Sequence, residues 1–271
     1  MLWLAEGLTS FVDELFVYQA GLCSLEEYLE IQRQNLQRYY NIPGRKFHSL
    51  EQSSFDAWIK LYRPDENIRN TSVSYYLKGG LVFFALHVLL REKGFSIKHF
   101  IRKLWSLYKE NPEVGFVKEQ VMDIVKELAG EDVHDQFWAM VSTTEVIDLE
   151  SFWSKIGVEW EWQESVKPWL GTSVIEYNGM PKVQEVTLDG PGYKVGLNAG
   201  DLLLSVNGLR MSYEEFHKME EFFVCGKTYT LQILRQGEFR DINVSFEKAP
   251  RRIKRLKIQD REKLERVLKE L

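Results

Sequence analysis

One stretch limits the folds open to this chain more than any other. Residues 81–90 read Leu-Val-Phe-Phe-Ala-Leu-His-Val-Leu-Leu, apolar throughout except for His87. A bilayer crossing needs about 20 apolar residues, so this run is too short for one. It is long enough for about three helical turns. A helix apolar on nearly every side is buried on nearly every side. The expectation is a central helix over residues 71–93 in an all-helical core, with Ser72 or Ser74 as its N-cap. Its first turn carries Tyr75 and Tyr76, then Lys78, Gly79 and Gly80. Polar groups at the mouth of a buried helix are where chemistry can sit.

The segments around that helix follow the same periodicity. Leu2, Trp3, Phe11, Leu15 and Phe16 recur at helical spacing, which predicts a helix over 1–20 ended by Gly21. Ser24-Leu-Glu-Glu27 is a capping box that opens a second helix to about Tyr40. Residues 45–70 read as irregular, with a short helical piece near 54–62. Further helices are expected over 96–110, 116–128, 132–141 and 149–156. No strand pattern precedes residue 158. The periodicity then gives way to alternation, with strands expected at 169–177, 183–188, 202–206, 228–234 and 239–246 and one helix over 212–223. The chain therefore divides into a helical domain (1–157), a linker (158–167), a β-rich domain (168–248) and a charged helical tail (249–271).

Composition adds exclusions. The net charge of −5 argues against nucleic acid as the partner. No basic, apolar leader opens the chain, so no secretory signal is read. The two cysteines, Cys23 and Cys225, make neither a disulfide framework nor a metal cluster, which fits a reducing cytoplasm. Residues 251–271 carry nine Lys/Arg against four Asp/Glu. A helix lying on its own acidic body is the plainer reading of that excess; a basic patch for an acidic partner is the other.

Two places could carry chemistry. Glu6 stands among Leu2, Trp3, Leu4, Leu8 and Phe11, and a carboxylate buried without a partner is costly. A metal ion or a basic side chain would answer it, as would a position at the exposed edge of the helix. Gly7 beside it costs roughly 1 kcal/mol in a helix, a cost that close approach of another element would explain. Tyr75 and Tyr76 are either half-buried boundary residues or phenols that donate to an oxyanion.

Taken together, these stretches resemble a known family. Leu-Trp-Leu-Ala-Glu6-Gly-Leu-Thr9 resembles the segment of the gluzincin zinc aminopeptidases that supplies the third zinc ligand. Tyr76-Leu-Lys-Gly79 resembles their Tyr-x-Lys-Gly. With Pro43-Gly-Arg45 and the run from Ser53 to Asp65, the chain is similar to the glycyl aminopeptidases, gluzincins that carry a C-terminal PDZ domain. The resemblance runs from Leu2 to about Glu247. It implies a multi-domain α + β chain: the C-terminal part of a gluzincin catalytic domain, all-helical, followed by a PDZ domain. It implies Glu6 as zinc ligand and Tyr76, with Tyr75 second, as oxyanion donor. Thr9 and Lys78 would stand behind them. In the second domain, residues 190–208 are similar to the PDZ core segment. Trp169, Leu170, Gly171 and Thr172 stand at its carboxylate-binding loop, beside which a peptide would add as a strand.

The departures are as informative. None of His48, His87, His99, His134 and His217 begins a His-Glu-x-x-His, the family's source of two zinc ligands and the general base. His87 stands where the family pattern has aspartate, and a core histidine is its expected role. Catalytic zinc takes three protein ligands, which one carboxylate cannot supply. The expectation is a metallopeptidase portion inactive by itself, from a split or truncated gene or as half of a two-chain enzyme. The alternative is a non-catalytic scaffold that binds peptides through its PDZ groove. If a layer of the fold is absent, the apolar face of the first helix (Trp3, Leu4, Phe11) should be uncovered or covered by a partner.

Overall fold

Helical periodicity before residue 158 and alternation after it become two separate packing units. The computed structural model describes residues 1–269. One unit comprises Met1–Arg63, Thr71–Trp162 and the segment from Ile253 onward; the other comprises Pro64–Asn70 and Gln163–Arg252.

In the helical unit, α1 (Leu2–Gln19), α2 (Leu25–Tyr40) and α3 (Leu50–Phe55) precede the central α5 (Tyr75–Glu92); the short α4 (Ile68–Thr71) between them falls almost wholly in the second unit. Then come α6 (Ile97–Glu110), α7 (Lys118–Ala129), α8 (Glu131–Ser142) and α9 (Leu149–Lys155). The helix that the apolar run demands is α5, buried from Leu81 to Leu90 without a break. Each large apolar side chain on it stabilises the unit by roughly 1.5–3 kcal/mol. Residues 68–92 are apolar and long enough for a membrane span, yet most of that stretch is buried inside the fold, as a core helix is.

The crossing of α1 and α5 explains Gly7. A Cβ on Gly7 would lie 2.8 Å from the Cα of Gly79, and one on Gly79 would lie 2.6 Å from the Cα of Gly7. Any side chain at either position pushes the helices apart. Around this crossing the backbone ends are held by side chains. Ser24 and Glu27 form the expected capping box on α2, Ser49 and Gln52 another on α3, and Ser54 Oγ accepts from the Trp3 amide at 3.1 Å.

Four expectations need correction. Neither Ser72 nor Ser74 caps α5 with its side chain: Ser74 is the N-cap by backbone alone, and Ser72 is drawn off by His48. Trp3, Leu4 and Phe11 are not uncovered but buried, Trp3 between the rings of Phe83 and Phe137. Among the exposed large apolar side chains are Phe55 at the end of α3 and Trp58 and Ile59 just after it. The linker expected over 158–167 begins as strand β1 (Val158–Gln163), which pairs with β10 (Arg252–Ile258). The tail is helical only in its second part. It supplies β10 and then α13 (Arg261–Lys269), whose Leu264, Val267 and Leu268 are buried. Its positive charges meet acids of the same unit, Lys254 and Arg255 at Glu161 and Arg261 at Glu26.

His87 ties that last helix to the core. Its Nε2 stands 3.0 Å from the Val267 carbonyl, and its Nδ1 accepts from the Ile97 amide at 3.3 Å. Burial holds it neutral, with its pKa lowered to about 4. It is a core histidine that pins α13 and the start of α6 to α5.

The second unit is built on a sheet in the order β3 (Thr172–Tyr177), β4 (Met180–Val186), β5 (Leu202–Val206), β7 (Thr228–Arg235), β8 (Glu238–Ser245), with β6 (Leu209–Arg210) beside β5. A separate pair joins β2 (Pro168–Trp169) to β9 (Glu247–Lys248). Short helices α10 (Pro191–Lys194), α11 (Tyr213–His217) and α12 (Met219–Phe222) complete it; the last two divide the single helix expected over 212–223. Alternation selects the core: Val183, Leu203, Leu231, Ile233 and Val244 all point inward. Asp201 is buried and grips Arg235 through both oxygens at 2.7 Å. Pro64–Asn70, expected in the helical domain, belongs here. Asn70 donates to the Val186 carbonyl at 2.7 Å and accepts from the Leu188 amide at 2.8 Å.

Candidate functional site

In the helical unit the candidate residues converge where α1 crosses the N-terminal end of α5. Tyr75 and Tyr76 stack, ring centroids 4.5 Å apart. A third phenol joins them: the Tyr62 hydroxyl lies 2.9 Å from that of Tyr75 and 3.2 Å from that of Tyr76. Tyr62 in turn packs on Trp58 at 4.9 Å. Burial drives the Tyr75 phenol far above its ordinary pKa, with its hydrogen bonds to Tyr62 and Tyr76 adding to the effect. The Tyr62 contact raises Tyr76, and the charge of Glu6 raises it further. The same hydrogen bonds, with Tyr75 and Tyr76, lower the Tyr62 pKa. Tyr75 is buried and Tyr76 partly exposed, so Tyr76 is the phenol that can present its proton to a visiting group.

The position of these tyrosines is set by a polar network beneath them. His48 Nε2 lies 3.1 and 3.2 Å from the two oxygens of Asp56, and Asp56 also pairs with Lys60 at 3.0 Å. On the other side, His48 Nδ1 accepts from the Ser72 hydroxyl at 2.9 Å and the Val73 amide at 3.4 Å. Ser53 Oγ donates to the Val73 carbonyl. The turn that delivers Tyr75 and Tyr76 is thus clamped on both faces. Burial lowers the His48 pKa although Asp56 opposes the shift. Tyr62, His48 and Asp56 were missed as site residues in the sequence reading. The run containing Asp56 and Tyr62 was visible, but no spacing rule joins it to residues 72–76.

Glu6 is partly exposed, and its charge acts on both Tyr62 and Tyr76. Thr9 bonds only to its own helix, at the Ala5 and Glu6 carbonyls. Lys78 points inward instead of supporting Glu6. It is fully buried, its Nζ 3.3 Å from the Thr143 carbonyl, and desolvation lowers its pKa to about 8. Among the described residues, the one group of three possible metal donors is Glu131, His134 and Asp135, on the surface of α8 and away from Glu6 in the chain. All three already have partners, Glu131 pairing with Lys126 and Asp135 with His134. The donor set around Glu6 in this chain therefore does not fit a catalytic zinc ion.

In the second unit, β3 pairs on one side only, with β4, and so presents an open edge with α11 nearby. Gly171, with φ at +77°, turns the chain into that edge. The tip of the Trp169 indole stands 3.4 Å from where a Cβ on Gly171 would lie and 3.2 Å from one on Gly190, packed against both glycines. Leu170 is buried, its carbonyl accepting from Gly192 at 2.7 Å. The hydroxyl of Thr172 is buried without a protein partner.

The helical core thus brings tyrosines and a glutamate to one crossing, and the sheet unit presents an open edge. Residues 1–82 match the family model for M61 glycyl aminopeptidase, and residues 168–246 match that for the PDZ domain. The chain thus carries, in order, a stretch similar to M61 glycyl aminopeptidase and one similar to a PDZ domain. No curated protein matches it. Among solved structures, an aminopeptidase N family protein from Idiomarina loihiensis is 23% identical over 99% of this chain, with a TM-score of 0.87. That likeness shows the shared fold, and this chain spans 48% of the other's length. The serine endoprotease from Yersinia pestis is 24% identical over 32% of this chain and 30% of its own, with a TM-score of 0.28. The HtrA-type protease AlgW with tripeptide is 20% identical over 31% of this chain and 32% of its own, also at 0.28.

Proposed function

We propose that this polypeptide is the C-terminal portion of a zinc-dependent aminopeptidase, one that releases N-terminal residues from peptides, and that it is inactive by itself. The observation that carries the reading is the Tyr62–Tyr75–Tyr76 hydroxyl cluster under the influence of Glu6, at a crossing that only glycines permit. A neutral phenol held in place by its neighbours can donate to the oxyanion of a tetrahedral intermediate without reorganising when charge develops. Tyr76 has that exposure, and Tyr75 and Tyr62 orient it. Glu6 is one metal ligand of the three required; the others and the general base would come from residues outside these 271. The exposed Phe55, Trp58 and Ile59 suit a segment that supplies them, because large exposed apolar patches mark interfaces.

Two measurements test this. The purified chain should hold no stoichiometric zinc and show no chelator-sensitive release of amino acids; either finding would refute the claim of inactivity. Assembled with a segment bearing His-Glu-x-x-His, it should gain aminopeptidase activity, and Tyr76→Phe should then lower kcat about 10²–10³-fold. A Tyr76→Phe enzyme of unchanged kcat would remove Tyr76 from the mechanism.

A second reading rests on a separate observation, the one-sided pairing of β3. An open strand beside α11 can take an extended peptide by strand addition, with the peptide's terminal carboxylate at the Leu170–Gly171 turn. Titration of the chain with a C-terminal peptide and its amide-capped twin checks this: the free carboxylate should bind more tightly, and equal binding would place the contact elsewhere.

A further inference from the structure

Beside the tyrosine cluster, α1, α2 and α5 line an open pocket of about 180 Å³ that shares Tyr76 with the site proposed above. Its walls carry Ser10, Glu14, Gln32, Asn35, Arg38 and Tyr76. Two of these bear opposite charges. Glu14 accepts from Gln32 Nε2 at 2.6 Å and from Asn35 Nδ2 at 2.9 Å, so its carboxylate is held in place by neutral donors. Among the described residues it has no cationic partner within ion-pairing distance, and Arg38 likewise has no carboxylate partner, Glu14 included. The nearest acid in sequence, Asp13, is exposed and accepts the Glu14 amide at 2.6 Å instead. Burial raises the Glu14 pKa, opposed by the Asn35 and Gln32 hydrogen bonds and only weakly by Arg38.

A desolvated carboxylate that recruits two amides but no counter-ion is costly to keep. Its remaining lone pairs can accept an ammonium group. A guanidinium at the rim offers a planar fork to a carboxylate. The space is many times what one water needs and below the roughly 300–1,000 Å³ of pockets that hold drug-sized ligands. We propose that this cavity binds a small zwitterion of the amino-acid class, its ammonium on Glu14 and its carboxylate on Arg38. The donors and acceptors all come from this chain, so the site is complete whether or not the polypeptide ever acts as a peptidase.

The test is calorimetric titration of the full chain with L-alanine, and with ethylamine and propionate as the cation alone and the anion alone. Alanine should bind with Kd near the millimolar range, and each half-ligand at least about tenfold more weakly, the loss of about 1.4 kcal/mol. Glu14→Gln and Arg38→Gln should each weaken alanine about tenfold or more. Arg38 is exposed, so its variant leaves the fold, and the melting temperature, unchanged. Ethylamine or propionate binding as tightly as alanine would overturn the proposal. So would alanine binding that survives Arg38→Gln, or no alanine binding in the wild type.

Discussion

The two units place their functional groups in opposite ways. In the PDZ unit, the loop, the open strand and the turn into it come from one contiguous stretch, Trp169 to Tyr177. The working atoms there are largely backbone, so a few glycines and one edge strand make the site. In the helical unit, Glu6, His48, Tyr62 and Tyr76 are spread over 70 residues of chain, and only the packing of α1, α3 and α5 brings them together. A local site tolerates change in the distant core; an assembled site is only as good as the crossing beneath it. The largest effect should therefore come from the crossing. Gly79→Leu would force side-chain atoms into the Gly7 backbone and should remove the cooperative melting of the helical unit, a loss above about 4 kcal/mol. The sheet signal of the PDZ unit should persist. Joint loss of both transitions would break the contrast drawn here.

The converse substitution should strike only the sheet. Asp201→Ala leaves Arg235 without the carboxylate it grips and opens a buried polar hole, which costs about 3–5 kcal/mol when one partner of a buried pair is removed. Denaturant melts followed by near-ultraviolet circular dichroism should show the PDZ transition shifted and the helical one in place.

The same contrast governs how much could be read before the fold was known. The Leu81–Leu90 run admits one solution, a helix buried all round, and α5 is that helix. Ser24 and Glu27 announce the start of α2 because a capping box is a local device. Asn207-Gly208, both at positive φ, mark their turn for the same reason. What was not legible is what depends on partners far along the chain. Ser72 looked like a helix cap until His48, 24 residues earlier, claimed its hydroxyl. Trp3, Leu4 and Phe11 looked like an open face because the rings that cover Trp3 and Phe11, from Phe83 and Phe84 to Phe137, lie far along the chain. The strand β1 was too short and charged to separate from a linker until Arg252–Ile258 paired with it.

A pH titration should sharpen the difference further, because the buried bases lie in the helical unit. The His87 pKa is about 4 in the fold against about 6.5 unfolded. The unfolded chain therefore takes up the proton first as pH falls. The stability that His87 lends is whole above about pH 6.5 and is lost progressively on the way down to about 4, by about 3 kcal/mol at most. His48, also lowered, adds to the loss with the same sign. Urea midpoints of the helical transition should fall between pH 7 and 4.5, and His87→Gln should flatten that slope. A PDZ transition that falls in parallel over this window would mean that carboxylates common to both units, not these histidines, set the response.

Lys78 gives the smallest effect and the opposite sign. It is fully buried with a single carbonyl contact, and its pKa of about 8 in the fold lies below the 10.4 or so of the unfolded chain. At pH 7 it is protonated in both states, so the fold bears the cost of stripping water from an ammonium ion. That cost fades as pH rises from about 8 toward 10.4, where the folded side chain sheds its proton first. Lys78→Met keeps the volume and removes the charge, so it should stabilise the helical unit by about 2 kcal/mol at pH 7. The gain should shrink toward zero above about pH 10, and the PDZ unit should not respond. A Lys78→Met variant that is destabilised at pH 7 would mean that the hydrogen bond to Thr143 outweighs desolvation, and that the lysine next to Gly79 holds the α1–α5 crossing together instead of straining it.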